Sequence, residues 1–110
     1  MKVKKVFKYS LPNGRIPFDD WFNKLDKSVK AKVLVRIERL KIGLYGSCRN
    51  LKKGLTELKF VSGERIYFSE IANTIILLLT AGNKQRQSDD IKLAQEFLQD
   101  YIERSENGTI

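Results

Sequence analysis

The spacing of apolar residues changes period several times along the chain, and each change marks an element. Val3, Val6 and Phe7 stand among lysines in "VKKVFKYS", which predicts a first strand. After the turn-rich "LPNGRIP", Pro17 suits the first position of a helix. Phe18, Trp21, Phe22 and Leu25 then fall at i, i+3, i+4 and i+7 on one face of it. Asp26 or Ser28 can cap a second helix, whose stripe is Val29, Val33, Ile37 and Leu40 and whose stop is Gly43. The link between the helices is very short, so an antiparallel helical hairpin is expected. "LYGSCRNLKKG" reads as a polar loop, and three strands follow it. "LTELKFV" (55–61) and "RIYFSEI" (65–71) alternate, whereas "TIILLLTA" (74–81) is apolar throughout. A strand of that last kind is covered on both faces and belongs in the centre of a sheet. Ser88 is placed to cap a final helix, with Asp89 and Asp90 at its positive end. Its apolar stripe is Ile91, Ala94, Leu98, Tyr101 and Ile102.

These elements predict one α+β domain over residues 1–110, in the order β-α-α-β-β-β-α, ending in a flexible tail at 105–110. The sheet is expected to be mainly antiparallel and twisted, packed on the helical hairpin and the C-terminal helix.

The turn between the first two of the three later strands can be placed by sorting faces. A two-residue loop at 62–63 sets Phe60 opposite Arg65 and mixes apolar with polar residues on both faces. A three-residue loop at 62–64 sets Phe60 opposite Ile66, Leu58 opposite Phe68, Lys59 opposite Tyr67 and Glu57 opposite Ser69. The faces then separate, and Gly63 suits the left-handed position of such a loop. One face is greasy; the other holds Glu57, Lys59, Arg65, Tyr67 and Ser69. A solvated outer face is the ordinary outcome for an antiparallel sheet. The alternative is chemical: two cations beside a tyrosine suit a phosphate and its neighbouring base, by charge and by stacking.

Charge strengthens that alternative. The chain of 110 residues has a net charge of +8, concentrated in residues 1–62, which hold 16 Lys/Arg against 5 Asp/Glu. Residues 63–110 reverse the balance, with 5 against 8. A basic surface attracts phosphate backbones, although it also serves solubility alone. On the second helix Lys30, Lys32, Arg36, Arg39 and Lys41 share the outer side with a single acid, Glu38, so i,i+4 pairing is mostly missing. No run approaches the roughly 18–20 apolar residues of a membrane span, and the basic N-terminus lacks an apolar signal segment. One cysteine, Cys48, agrees with a reducing compartment, and a cytoplasmic protein without a membrane partner is expected. The chain has no histidine, which removes the commonest general base and the commonest metal ligand. Asp19–Asp20 and Asp89–Asp90 are sequence neighbours whose side chains diverge. No metal or other cofactor is expected, so any catalysis runs on Lys, Arg, Tyr, Glu or Asp.

The ordered motifs carry more than the composition does. "FDDWFNKLDKSVKAKVLVRIERLKIGLYG", "GLTELKF", "GERIYF" and "LLLTAGNKQRQSDDIKLA" together resemble the RelE/HigB superfamily of toxin–antitoxin toxins. The resemblance is to the branch described as addiction module killer proteins and related phage-encoded proteins. That family shows W-x-x-x-L, R-x-x-x-G-x-x-G, E-L-R, G-x-R-x-Y and G-G-(D/N)-K-x-x-Q-x-x-D-I in this order, and the match covers residues 18–98. Lys59 stands where the family has the arginine of E-L-R, and Ala81 replaces the first glycine of the last motif. Lysine keeps the charge there without the planar fork.

The resemblance implies a small RelE-like fold and a ribosome-dependent mRNA interferase, a metal-independent endoribonuclease. Such a toxin enters the ribosomal A site, against mRNA and rRNA, and lets the mRNA's own 2′-OH attack the adjacent phosphate. The nucleophile then belongs to the substrate, and the protein positions the strand, stabilises charge and moves protons. Arg65 and Lys84 are expected to hold the scissile phosphate with help from Lys59. Tyr67 would stack on or orient a base, and a lysine or Glu57 would assist proton transfer. Arg36, Arg39, Arg49, Lys52, Lys53, Arg86 and Gln87 are expected to contact RNA, Gln87 also fixing its loop. The partner implied is a cognate antitoxin, often a helix–turn–helix protein, with DNA touched only indirectly through it. Three other readings compete: an inactive RNA- or ribosome-binding relative that stalls translation without cutting, a DNA-binding regulator, and a structural phage protein. Against the regulator stands the absence of a helix–turn–helix pattern.

Overall fold

The apolar run at residues 75–79 becomes an inner strand of a five-stranded mixed sheet. The computed structural model describes residues 3–106. In chain order the elements are β1 (Lys5–Lys8), α1 (Pro17–Phe22), α2 (Lys27–Lys41), β2 (Cys48–Asn50), β3 (Thr56–Lys59), β4 (Glu64–Ile71), β5 (Ile75–Asn83) and α3 (Gln87–Glu106). Single 3₁₀ turns occupy Lys52–Gly54 and Lys84–Arg86. The strands lie in the order β1-β5-β4-β3-β2; β1 runs parallel to β5 and the other pairings are antiparallel. The expected α+β order is therefore present, with β2 added where the sequence suggested only a polar loop. The middle of the sheet belongs to β4, with β5 beside it.

Both faces of the sheet are covered. On one, Phe18 of α1 and Val33, Ile37 and Leu40 of α2 pack on Leu58, Phe60, Ile66, Phe68, Ile76 and Leu78. On the other, Ala94 and Leu98 of α3 cover Tyr9, Leu55, Tyr67, Leu77 and Leu79. Burying one such large side chain stabilises by roughly 1.5–3 kcal/mol, so each face contributes to the fold. This double cover is why β5 reads apolar throughout. The pairing of β4 with β5 steps by one residue between Tyr67 and Phe68, and Leu79 is left without an opposite residue. A bulge of this kind twists a strand and re-aims the side chains beyond it.

The helices differ from expectation in particular ways. Asp26, not Ser28, caps α2: its carboxylate accepts from the Val29 amide at 3.0 Å, and Ser28 donates to the same oxygen at 2.8 Å. With six residues, α1 rests chiefly on β5 instead of pairing along α2 as a helical hairpin. The 3₁₀ turn at Lys84–Arg86 runs straight into α3, so Ser88 lies inside the helix and is not its cap. Along α3, Ile102 is exposed, and Phe97 instead stacks on Tyr9 with ring centroids 4.8 Å apart. Ser105 and Glu106 are helical, which shortens the expected tail; its remainder, 107–110, lies outside the described residues. No helix among the described residues is long and apolar enough to cross a membrane.

Candidate functional site

The β3–β4 hairpin decides which polar side chains become neighbours. Its register pairs Lys59 with Arg65, Leu58 with Ile66, Glu57 with Tyr67 and Thr56 with Phe68. The loop is residues 61–63, closed by the Phe60 amide on the Glu64 carbonyl at 3.0 Å, with Gly63 at φ +109°. The loop thus has the expected three residues but begins one residue earlier than 62–64. The expected partners Lys59–Tyr67 and Glu57–Ser69 are accordingly replaced, because each pairing slides by two positions. A slide of two leaves every residue on its original face.

Two cross-strand rows result on the side that α3 covers. One runs Lys59–Arg65–Gly82, and the next runs Arg49–Glu57–Tyr67–Thr80. Glu57 is the anchor of the second row and has no solvent exposure. Its Oε2 accepts from the Tyr67 hydroxyl at 3.1 Å and from Gln87 Nε2 at 2.7 Å. Arg49 Nη2 lies 3.1 Å from Oε1, an ion-pair distance without hydrogen-bond alignment. A carboxylate buried this deeply is tolerable only with such partners around it. Gln87, the first residue of α3, therefore ties the helix start to the sheet. Tyr67 has no exposed surface either. Burial pushes its hydroxyl far above the ordinary tyrosine range, and the neighbouring Glu57 charge adds to the effect. It stays a proton donor to Glu57, and its ring offers no face to a base.

The Lys59–Arg65 row is the electrostatic opposite. The two cations sit directly across from each other, an arrangement that costs stability when nothing neutralises it. Among the described residues no carboxylate lies within ion-pair distance of either. Arg65 is only 9 % exposed. Its Nη1 donates to the carbonyls of Gly63 and Glu64 at 3.1 and 3.3 Å, while its buried Nε has no partner. Lys84 and Arg86 stand exposed in the turn that follows Asn83, and Asn83 pairs with Glu64 beside Arg65. Neither is in an ion pair among the described residues. Lys59, Arg65, Lys84 and Arg86 therefore belong to one end of the sheet.

Asp90 joins this end without any sign of it in the helix pattern, where it looked like a dipole-matching residue. Gly82 is the cause. A Cβ on Gly82 would fall 1.9 Å from Asp90 Oδ2, so the missing side chain is what lets α3 bring that carboxylate down onto the strand. Oδ2 is buried without a hydrogen-bond partner. Burial raises the carboxyl's pKa, only partly opposed by the Arg86 charge. In the sequence Gly82 stands just past the apolar run; the structure extends β5 through it, and a glycine inside a strand marks a close approach by another element.

Other expected RNA contacts lie elsewhere. Arg36 is on α2, across the sheet, where it donates to the carbonyls of Lys59, Tyr45 and Ser47 at 2.9, 3.4 and 3.3 Å. Its guanidinium also stacks on Phe60, 4.7 Å from the ring centre. It clamps α2 to the sheet and to the loop before β2, and a Cβ at Gly46 (φ +65°) would crowd it at 3.3 Å. Arg39 is exposed on the same helix, away from the cation row. Lys52 and Lys53 are exposed in the turn that precedes β3, at the opposite end of that strand from Lys59. Ser69 is not free to bind: its hydroxyl donates to the Gly54 carbonyl at 2.9 Å.

No family model matches the chain. It is similar to an uncharacterized protein of Haemophilus influenzae, with 34% identity over 88 residues, covering 77% of this chain and 89% of that protein. An identity of this size over most of both chains is what homologues sharing one fold show, and the chain belongs to the same family as that Haemophilus influenzae protein.

Proposed function

We propose that the chain is a RelE-like toxin of a type II toxin–antitoxin pair, acting in the cytoplasm as an endoribonuclease on mRNA in the ribosomal A site. The observation that carries this reading is the Lys59–Arg65 pair. Two like charges held face to face, with Lys84 and Arg86 rising at the same end of the sheet, make sense when a phosphate lies between them. The ordered motifs through residues 18–98 point to the same chemistry. In it the 2′-oxygen of the mRNA attacks its own phosphorus, the bond from phosphorus to the 5′-oxygen breaks, and a 2′,3′-cyclic phosphate and a 5′-hydroxyl are left. The 2′-hydroxyl gives up a proton and the leaving 5′-oxygen takes one. Arg65, Lys59 and Lys84 stabilise the charge that builds on the phosphate oxygens. Glu57 and Tyr67, sealed beneath α3, hold the frame and do not take part in proton transfer. Asp90 lies against Gly82, the residue paired with Arg65, and burial raises its carboxyl pKa; it is an acidic group that this end of the sheet offers for proton transfer. The antitoxin is the partner this reading requires, and DNA enters only through it.

Induced expression with mapping of mRNA ends tests the proposal. The chain should arrest growth and leave discrete new 5′ ends in translated mRNA, and Lys59→Ala, Arg65→Ala and Lys84→Ala should each weaken both effects. Full toxicity in all three variants would sink the site. A second reading, RNA or ribosome binding without cleavage, is favoured by the burial of Glu57 and Tyr67. It predicts arrest with no new ends.

A further inference from the structure

The outer side of α2 does not look like a finished surface. The helix already turns Val33, Ile37 and Leu40 into the core, yet Leu34, Val35 and Ile42 are exposed at 52%, 49% and 39%. Val61, the first residue of the β3–β4 loop, is fully exposed and lines one groove with Val35. A groove of about 560 Å³ lies between α2 and that loop, with Ala31, Val35, Phe60 and Val61 as its apolar lining. It is continued along the helix by a shallower depression at Leu34, Val35 and Ile42. Arg36, fixed by its three carbonyls and stacked on Phe60, belongs to the groove's wall. Lys32 and Arg39 are exposed on its rim, and neither has a carboxylate within ion-pair distance among the described residues. The nearby acid, Glu38, is paired with Lys41 at 3.0 Å.

We infer that this groove binds an amphipathic helix of a partner protein, with apolar side chains along one face and carboxylates beside them. Residues 31–42 run for about 16 Å of helix, roughly three turns. A second helix laid along α2 finds ridges at i, i+3 and i+4 spacing to pack against. The unpaired rim cations ask for acidic residues on the occupant. Two copies of this chain meeting here would set Lys32 and Arg39 against their own equivalents, which disfavours self-association. RNA is disfavoured as well, because the exposed apolar residues of the lining are aliphatic and Phe60, the one ring in the lining, is covered by Arg36, so no ring is open for stacking. The inference is independent of whether the chain cuts RNA.

Site-specific photo-crosslinking tests it in the cells that make the protein. A benzophenone amino acid at Val35 or Val61 should capture a protein, and mass spectrometry should map the crosslink to a segment with apolar residues at i, i+3 and i+4 among Asp and Glu. The mapped segment, made as a synthetic peptide, should bind the purified chain. Val35→Asp and Arg39→Glu should each weaken that binding at least tenfold without moving the urea midpoint. The inference is overturned by crosslinks to RNA, to a second copy of this chain or to a segment lacking carboxylates. It is equally overturned by no crosslink at either position, or by peptide binding that both variants leave unchanged.

Discussion

The two faces of the sheet are built from the same strands and do different work. The side under α1 and α2 is apolar from Phe18 to Phe68, and its polar contacts sit at its margins. The side under α3 is apolar only toward Tyr9, Leu77 and Leu98; toward the β3–β4 loop it buries Glu57 and Arg65 and leaves Lys59 facing Arg65. An apolar face can be mispacked slightly and still hold. A face with a buried carboxylate and a buried guanidinium tolerates little change, because each group depends on a named partner. Stability is concentrated under α1 and α2, and the chemistry of the candidate site is concentrated under α3.

Single substitutions can break that contrast. The largest effect is expected on the apolar side: Phe68→Ala removes a fully buried ring and should lower stability by about 3–5 kcal/mol in urea unfolding. If Phe68→Ala cost no more than an ordinary surface change, the division of labour would be wrong. Glu57→Ala is next. It strips the acceptor from Tyr67 and Gln87 and the counter-charge from Arg49, and should cost about 1–3 kcal/mol in the same measurement. A loss equal to that of Phe68→Ala would mean that the α3 side carries as much of the fold.

Gly82→Ala sharpens the comparison at the point where α3 comes closest. The added methyl group meets Asp90, and destabilisation of about 1–3 kcal/mol is expected for such overpacking. In an Asp90→Ala background most of that cost should vanish, and a double-mutant cycle measures the coupling. Additive effects would show that the two residues do not touch.

The smallest effect is pH-dependent and belongs to the margin of the apolar side. Glu70 accepts from the Tyr45 hydroxyl at 2.6 Å and pairs with Lys4 at 2.5 Å. Burial alone pushes the Glu70 carboxyl up, but the hydrogen bonds from Lys4 and Tyr45 prevail and hold it below its ordinary 4.5. A carboxyl with a lowered folded pKa stabilises fully above the unfolded value and loses that contribution as pH falls through the folded one. Stability of the wild type should therefore drop below about pH 4.5 more steeply than that of Glu70→Gln. Parallel acid limbs in the two proteins would remove this tie from the account.

The order of elements and the two faces of the hairpin were legible because helix and strand periods differ and because alternation sorts residues by side. Pro17 as a helix start follows from local chemistry alone, which also narrowed the α2 cap to Asp26 or Ser28; the folded chain chooses Asp26. The register was not legible, since sorting by faces cannot distinguish pairings that differ by two residues. β2, with three residues and no alternation to read, was invisible for a related reason. The burial of Glu57 and Tyr67 was hidden because alternation tells which residues share a face but not what covers it. α3 covers that face, and Gln87 and Asp90 of α3 complete the site. Arg36 looked like one more surface cation, and only the folded chain brings three carbonyls to it.

The parallel pairing of β1 with β5 has a consequence in time. Lys5 meets Ile75, so the first strand to leave the ribosome has no partner until most of the chain has been made. Contacts of such sequence separation form late, after nearby pairings have closed the loops between them. The β4–β5 hairpin, joined by a short turn, is expected to assemble before β1 docks on it. Val6→Ala should accordingly speed unfolding while leaving the folding rate nearly unchanged; slower folding would contradict that order. Phe7 and Val3 stay exposed even after docking, among lysines whose charge discourages other strands from pairing with this edge. The lysines around β1 thus guard an edge strand that is apolar enough to pair wrongly both before and after it docks.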